Sequence, residues 1–324
     1  MRGTDYVLKR VFFAVATVLV AITVNFVLFR AVPGDAVSAL RCRQCTPQFK
    51  AYQRSQLGLD RSKLEQYWLY VDNLVHGDMG RSLRTQDPVW STLWTPLKNT
   101  LPMVALGTLF SIVLGVATGV ISAWRRGTAV DKVGLWGGLV FYAMPPQWLG
   151  LMIVLFVAGA LGLPTSGIET PTLGILGDAS TWTIVVDRLK HMVLPATALG
   201  LVLYGDYTLI VRSAMLETLG EDYVLTARAK GLSNWATVWK HGLRNAMLPV
   251  ITLVALSLGF IIGGAITIEY VFSYPGIGLE IVEAIDQRDW PIVQGAFLLL
   301  AFSVIFFNLV ADLLYFKLDP RVTE

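Results

Sequence analysis

The chain has 324 residues, of which 54% are hydrophobic and 15% charged, with 26 basic and 23 acidic side chains and a mean hydropathy of +0.58. Soluble domains carry roughly 25% charged residues, so a water-soluble globule is a poor fit. The net charge of +3 is small and the basic residues are scattered, which argues against a nucleic-acid-binding protein. We therefore expect lipid to be the solvent for much of the chain.

Long intervals without charged side chains predict the membrane spans, because a charge at the bilayer centre is costly. Intervals of 19, 26, 36, 24 and 22 uncharged residues lie within 10–30, 98–125, 132–169, 244–269 and 289–312. Each can cross about 30 Å of hydrocarbon as a helix. A weaker sixth span is predicted at 191–211, where Asp206 interrupts the apolar pattern. The sequence thus predicts an all-α integral membrane protein with six transmembrane helices.

The first interval admits two interpretations. Arg2, Lys9 and Arg10 precede it and small residues follow at 36–39, as in a secretory signal. Its 19 apolar residues exceed the roughly 7–15 of a cleaved signal, which favours a retained span over cleavage.

Basic residues predict the orientation of the chain. With a cytoplasmic N-terminus, the inner segments hold thirteen Lys and Arg, whereas the two short outer segments hold three. The other ten lie at residues 30–98, in a long translocated segment where the bias is not enforced. We therefore predict that both termini are cytoplasmic.

Residues 31–99 are polar enough to form a small helical cap outside the membrane, with turn signals at 33–35 and 76–78 and a helix over 63–75. Cys42 and Cys45, the only cysteines, lie in this cap. An extracytoplasmic location permits a disulfide between them, while inert thiols and a functional pair are the alternatives. His76 is 31 residues away and has no companion, so we predict no metal site.

Two features inside the predicted spans are candidates for the translocation path. Pro145 and Pro146 interrupt the third interval and free carbonyl groups, which face a water-filled path or else mark a kink that only shapes packing. Asp206, close to Tyr204, is an intramembrane carboxylate and a candidate for a cavity. The alternative is a structural partner for Arg212, although six residues along one helix is too far for a same-face pair.

The longest inner segment, 212–244, has apolar residues at helical spacing in two runs that Gly231 separates. This pattern predicts two short amphipathic helices, with acidic residues toward the first end and basic residues after them. One interpretation is a helix pair resting on lipid headgroups. The other is a docking element for a soluble partner, in which Ala227, Ala229 and Gly231 permit close backbone approach.

The motifs of this segment resemble the signature loop of ABC importer permeases, in particular the first permease subunit of dipeptide and oligopeptide importers. The similar runs are YVLTARAKGL at 223–232 and HGLRNAMLP at 241–249, and other similar segments follow the expected order at 33–35, 57–60, 77–80, 163–167, 263–278 and 318–322. Leu225 and Thr226 stand where many permeases have Glu and Ala, and 18 residues separate Gly231 from Pro249. Both departures suit the peptide-importer branch.

The resemblance implies a type I ABC importer fold with three regions. These are the first transmembrane helix and extracytoplasmic cap at 1–97, the permease domain at 98–316 with a coupling loop at 213–247, and a cytoplasmic tail at 317–324. It also implies a set of residues that couple the permease to an ATPase: Glu217, Asp222, Ala227, Arg228, Ala229, Lys230 and Gly231.

The implied partners are a homologous second permease, two ATPase subunits that hold ATP and Mg²⁺, and an outer solute-binding protein. This chain has no Gly-x4-Gly-Lys-Ser/Thr motif, so we expect a transport subunit that is not an enzyme and holds no cofactor. Di- and oligopeptides are the default substrates, with nickel, glutathione or oligosaccharides as alternatives. An ion-driven secondary transporter or a membrane enzyme is less favoured, because matching broken halves and clustered catalytic groups are lacking.

Overall fold

The computed structural model describes residues 3–31, 46–56, 58, 60–176, 180–244, 246–247, 250–251, 254 and 265–318. Within these ranges the secondary structure is helical, with one isolated bridge between Arg81 and Pro88. In chain order the helices are α1 (Gly3–Ala31), α2 (Pro47–Gln56), α3 (Lys63–Val75), α4 (Val89–Trp124), α5 (Ala129–Ala143), α6 (Pro146–Leu161, π-helical at Ile153–Ala158), α7 (Pro171–Leu176), α8 (Thr181–Leu219), α9 (Asp222–Ala229), α10 (234–243, π-helical at Thr237–Leu243), α11 (265–271), α12 (Ile277–Asp286) and α13 (Trp290–Leu318).

Four helices are long and apolar enough to cross a membrane: Asp5–Arg30, Val89–Trp124, Thr181–Leu219 and Trp290–Leu313. A further candidate is the pair Ala129–Ala143 and Pro146–Leu161, which are bent by 108°. The predicted all-α membrane fold is therefore confirmed. Most of the predicted span at 244–269 and both cysteines, Cys42 and Cys45, lie outside the described residues.

The helices fall into two compact units, residues 1–100 with 275–324 and residues 101–274. In the first unit α1 packs along α13, and α3 packs against α1. Buried Asn25 of α1 links both neighbours, because its side chain donates to the Gln294 carbonyl at 3.3 Å and accepts from the Tyr70 hydroxyl at 3.1 Å. The predicted domain boundaries at 97 and 316 stay predictions.

The predicted helix at 63–75 is present as α3. Ser62 begins it through a capping box, in which the Ser62 and Glu65 side chains each bond to the other residue's backbone N–H. These hydrogen bonds lower the pKa of the exposed Glu65 carboxyl. The helix ends at Val75, and Gly77 supplies the positive φ of 78° in the predicted turn.

In the second unit, glycines let three helices approach closely. A Cβ at Gly115 of α4 would lie 2.5 Å from the Tyr207 Cβ of α8, and one at Gly119 would lie 2.7 Å from the Val211 Cβ. On α8 a Cβ at Gly205 would collide with the Gly138 carbonyl of α5. Small residues at such crossings are the usual basis of helix packing in membranes, where apolar burial gives little drive. These glycines therefore fix α8 between α4 and α5.

Helix α8 is longer than the predicted span at 191–211 and runs for 39 residues, about 58 Å at 1.5 Å per residue. Its charged N-terminal end is held by nearby partners. Asp187 accepts hydrogen bonds from the Thr170 backbone N–H and hydroxyl, and Arg188 pairs with Glu169 at 2.9 Å. The predicted weak span is thus part of a helix that is long and apolar enough to cross a membrane.

Candidate functional site

The segment from 212 to 244 was the candidate for coupling, and its first predicted helix is wrong in one respect. The apolar run from Leu216 to Ala227 is divided, because α8 ends at Leu219 and α9 begins at Asp222. Gly220 closes α8 by donating its backbone N–H to the Glu217 carbonyl at 3.0 Å. The segment is therefore the end of α8 followed by two short helices, with a tight turn before each.

Helix α9 has one buried and one exposed face. Val224 is fully buried and Ala227 is 7% exposed, so both pack against their own chain. Ala229 and Lys230 are exposed at the C-terminal end of α9. Asp222 at its N-terminal end is also exposed, as is Glu217 in the last turn of α8. The Arg228 side chain lies outside the described residues. Of the predicted coupling residues on α9, Ala227 is therefore buried against the rest of the chain, whereas Ala229 and Lys230 are accessible.

Gly231 ends α9 in a left-handed conformation, with φ of 83°. The backbone N–H of Leu232 donates to the Ala227 carbonyl at 3.3 Å, which is the six-residue hydrogen bond of a Schellman motif. Nothing in the described chain lies within 4 Å of a Cβ placed on Gly231. The glycine is thus required by the backbone conformation, and the space beside it is open on the side of its own chain.

Helix α10 fixes this segment to the membrane helices. Ser233 caps it, since its hydroxyl accepts the Ala236 backbone N–H at 3.3 Å. Val238 is 1% exposed, and a Cβ at Gly242 would lie 3.1 Å from the Met215 methyl group of α8. These residues extend the apolar cluster between α4 and α8. The segment is therefore packed directly against the end of α8.

Arg212 of α8 forms a bidentate ion pair that the sequence reading missed. Its Nε and Nη2 atoms donate to Asp131 of α5 at 2.7 and 3.0 Å, and the Gly127 backbone N–H donates to the same carboxylate at 2.9 Å. The Asp131 side chain is 6% exposed and that of Arg212 21%. Arg212 therefore pairs with Asp131 and not with Asp206, as expected from the six-residue spacing along one helix. Asp131 is the only acidic residue between Asp87 and Glu169, which was the available signal.

The residues predicted for the translocation path occupy different surroundings. Tyr204 is buried, with its ring edge-on to Phe141 of α5 at 6.0 Å. Asp206 is half-buried on another face of α8, and within the described ranges it has no hydrogen-bond or ion-pair partner. Tyr204 thus packs against α5, whereas Asp206 is only half-buried.

Pro145 and Pro146 break the third interval completely. Helix α5 ends at Ala143, and Pro146 occupies the first turn of α6, where its missing N–H costs nothing. The Pro145 carbonyl accepts the Leu149 N–H at 3.1 Å, so this carbonyl serves as the first acceptor of α6. The described residues include no cluster of three or more side chains suited to a metal ion.

Comparison with known protein families identifies the class to which this chain belongs. Residues 115–324 match the family described as the binding-protein-dependent transport system inner membrane component, and residues 4–104 match the N-terminal part of such membrane components. The chain belongs to this family and is a multi-pass inner-membrane permease subunit of an ABC importer.

Curated relatives cover almost the whole chain. It is 36% identical over 333 residues to the dipeptide transport system permease protein DppB of Escherichia coli K12, and 38% identical over 330 residues to the di/tripeptide transport system permease protein DppB of Pseudomonas aeruginosa UCBPP-PA14. It is 34% identical over 319 residues to the glutathione transport system permease protein GsiC of Salmonella choleraesuis. Each comparison covers 98% of both chains.

Proposed function

We propose that this permease conducts di- and oligopeptides that an outer solute-binding protein delivers, and that it shares the path with a homologous second permease. Two ATPase subunits on the cytoplasmic side hold ATP and Mg²⁺ and hydrolyse the nucleotide. Both termini are cytoplasmic, in agreement with thirteen basic residues in the inner segments. Relatives named for dipeptide and di/tripeptide transport support the substrate class.

The coupling contact is carried by the exposed end of α9. Ala229, Lys230 and Gly231 project from a helix whose opposite face is packed onto its own chain. Closure of the two ATPases on ATP displaces this end, and α10 transfers the displacement to α8. ATP can bias the permease only if the ATPase contacts α9 differently in the two states. The observation that carries this proposal is an open surface at Gly231 on an otherwise anchored segment.

Two substitutions at Gly231 test the contact. Gly231→Asn adds a side chain that tolerates a positive φ, whereas Gly231→Val adds one that does not. If an ATPase approaches this glycine closely, both variants reach the membrane and hydrolyse ATP with little peptide uptake in proteoliposomes. Gly77→Asn is the matched control, since Gly77 also has a positive φ of 78° and no atom within 4 Å of its Cβ position. Normal uptake by Gly231→Asn contradicts the coupling contact at this residue.

Asp206 is proposed to face the translocation path. A partnerless carboxylate against lipid is costly, so a half-buried one on a membrane helix is best accommodated in a watery path. Its ligand is the protonated amine of the passing peptide. Asp206→Asn is expected to lower uptake about tenfold, the size of one charge-assisted hydrogen bond, and Asp206→Glu to restore most of it. Uptake by Asp206→Asn at the unaltered rate rules out this role.

Glutathione is the second candidate substrate, because a relative named for glutathione transport matches over 98% of both chains. Competition distinguishes the two candidates. We expect unlabelled dipeptides to inhibit the uptake of labelled dipeptide more strongly than glutathione does at equal concentration. The reverse order assigns the system to glutathione.

A further inference from the structure

Three tryptophan side chains form an exposed cluster beside the coupling segment. Trp124, Trp235 and Trp239 are 38%, 55% and 41% exposed. The Trp124 and Trp235 rings meet edge-on with centroids 5.6 Å apart, and the Trp235 and Trp239 rings lie 5.1 Å apart. Large apolar side chains so exposed and so close together are unusual on a surface that faces only water.

The cluster begins where a membrane span ends. On α4 an exposed stripe continues at helical spacing to the last residue of the helix: Leu106, Phe110, Val113, Ala117, Ile121 and Trp124. Trp235 and Trp239, four residues apart on α10, extend the stripe beyond the span. Tryptophan prefers this depth, since its ring is apolar and its N–H reaches water and headgroups. The indoles therefore continue a hydrocarbon-facing surface into the headgroup layer.

Two exposed cations accompany these indoles. The Arg125 guanidinium lies 5.8 Å from the centroid of the Trp124 ring, and Lys240 directly follows Trp239. Both side chains are exposed, and neither has a carboxylate partner among the residues that the structure describes. A cation at the membrane surface attracts anionic lipid. The chemistry that satisfies both the indoles and the cations is a phospholipid with a negatively charged headgroup.

We propose that Trp124, Trp235 and Trp239, with Arg125 and Lys240, form a binding site for anionic phospholipid headgroups. The indoles lie at the hydrocarbon boundary and the two cations contact the lipid phosphate. Through Trp235 and Trp239 the site holds α10 against the membrane surface, next to the end of α4. A protein partner at this patch is the competing occupant, and continuity with the span stripe favours lipid.

Fluorescence quenching in nanodiscs tests the site in the full-length chain. One set of nanodiscs contains dibrominated phosphatidylglycerol in a phosphatidylcholine background, and the other contains dibrominated phosphatidylcholine in a phosphatidylglycerol background. In both, the bromine atoms lie near the headgroup end of the acyl chains. Subtracting the spectrum of the triple variant Trp124→Phe, Trp235→Phe and Trp239→Phe isolates the signal of the cluster. We expect this signal to be quenched by both lipids and more strongly by phosphatidylglycerol at equal mole fraction.

Charge variants test the headgroup preference without altering the indoles. Arg125→Gln and Lys240→Gln are each expected to reduce the phosphatidylglycerol preference about fivefold, the share of one surface cation. Lys190→Gln is the matched control. Lys190 lies near the N-terminal end of α8, whereas α10 packs near its C-terminal end, so this variant should leave the preference unchanged. Absence of quenching by either lipid overturns the proposal. Loss of quenching when the ATPase subunits bind also overturns it, because the patch is then a protein interface.

Discussion

Removing the charge of Asp131 tests whether the ion pair with Arg212 holds α5 to α8 next to the coupling segment. Asp131→Asn keeps the shape and can still accept the Gly127 N–H, but it leaves the half-buried guanidinium without a counter-charge. Breaking one side of a fully buried pair costs roughly 3–5 kcal/mol. Because the Arg212 side chain keeps 21% exposure, water compensates part of this loss, and we expect about 2 kcal/mol.

The measurement is the free energy of unfolding of the purified chain, followed by SDS titration in mixed micelles. Glu169→Gln provides a matched control, because it removes one carboxylate from the Arg188 ion pair, whose side chains are 49% and 35% exposed. An exposed pair contributes about 0–1 kcal/mol, so the control should lie well below Asp131→Asn. Equal losses in the two variants contradict the assigned difference in burial.

A double-mutant cycle separates the ion pair from general damage. We expect Asp131→Asn and Arg212→Gln to be non-additive by about 1 kcal/mol or more, since each removes the same interaction. Additivity within about 0.5 kcal/mol refutes the reasoning. In the assembled importer the same variants should lower the peptide taken up per ATP hydrolysed, because the ion pair between α8 and α5 is then lost.

Two further predictions concern packing and charge. Gly205→Ala places a methyl group against the Gly138 carbonyl and should destabilise the chain by about 1–3 kcal/mol. Gly159→Ala, with no atom within 4 Å of its Cβ position, is the control and should be neutral or slightly stabilising. Equal stability of the two variants contradicts the close approach of α8 and α5. Burial, then the charges of Glu283 and Asp289, raise the pKa of Glu280, so its stabilising contribution is present at low pH and lost as pH rises through the folded-state pKa. Glu280→Gln should therefore be more stable than the parent chain at pH 8 and similar at pH 4, as measured by thermal unfolding.

The spans were predictable because they depend on a local property, the absence of charge over about 20 residues. The full length of α8 could not be predicted in this way, because Asp187, Arg188 and Glu217 interrupt its apolar pattern. The structure shows why these charges are tolerated. Asp187 and Arg188 have partners at the N-terminal end of the helix, and Glu217 is exposed at its C-terminal end. Hydropathy alone cannot identify charges that are satisfied by contacts elsewhere in the chain.

The coupling segment shows the same division between local and distant information. The sequence predicted that Gly231 separates the two helices and permits close approach of a partner. The structure adds a second reason for glycine, because the end of α9 has a positive φ at this residue. The Asp131–Arg212 pair joins residues 81 positions apart, and no periodicity marks such a contact. The Pro145–Pro146 interruption was visible in the sequence, whereas the 108° bend depends on how α6 packs after it.

The arrangement of α8, α9 and α10 explains how a small contact surface could move a membrane helix. Helix α9 is joined to α8 by only two residues, Gly220 and Glu221, and alone that turn would be a hinge that absorbs motion. Helix α10 removes this freedom, because Val238 and Gly242 pack against α8 and its neighbours. A close-packed interior transmits displacement instead of absorbing it. In the coupling mechanism proposed above, transfer from α9 to the membrane helices should therefore depend on the packing of α10 more than on the chain connection. A cavity at Val238 should then weaken coupling even with the exposed end of α9 intact.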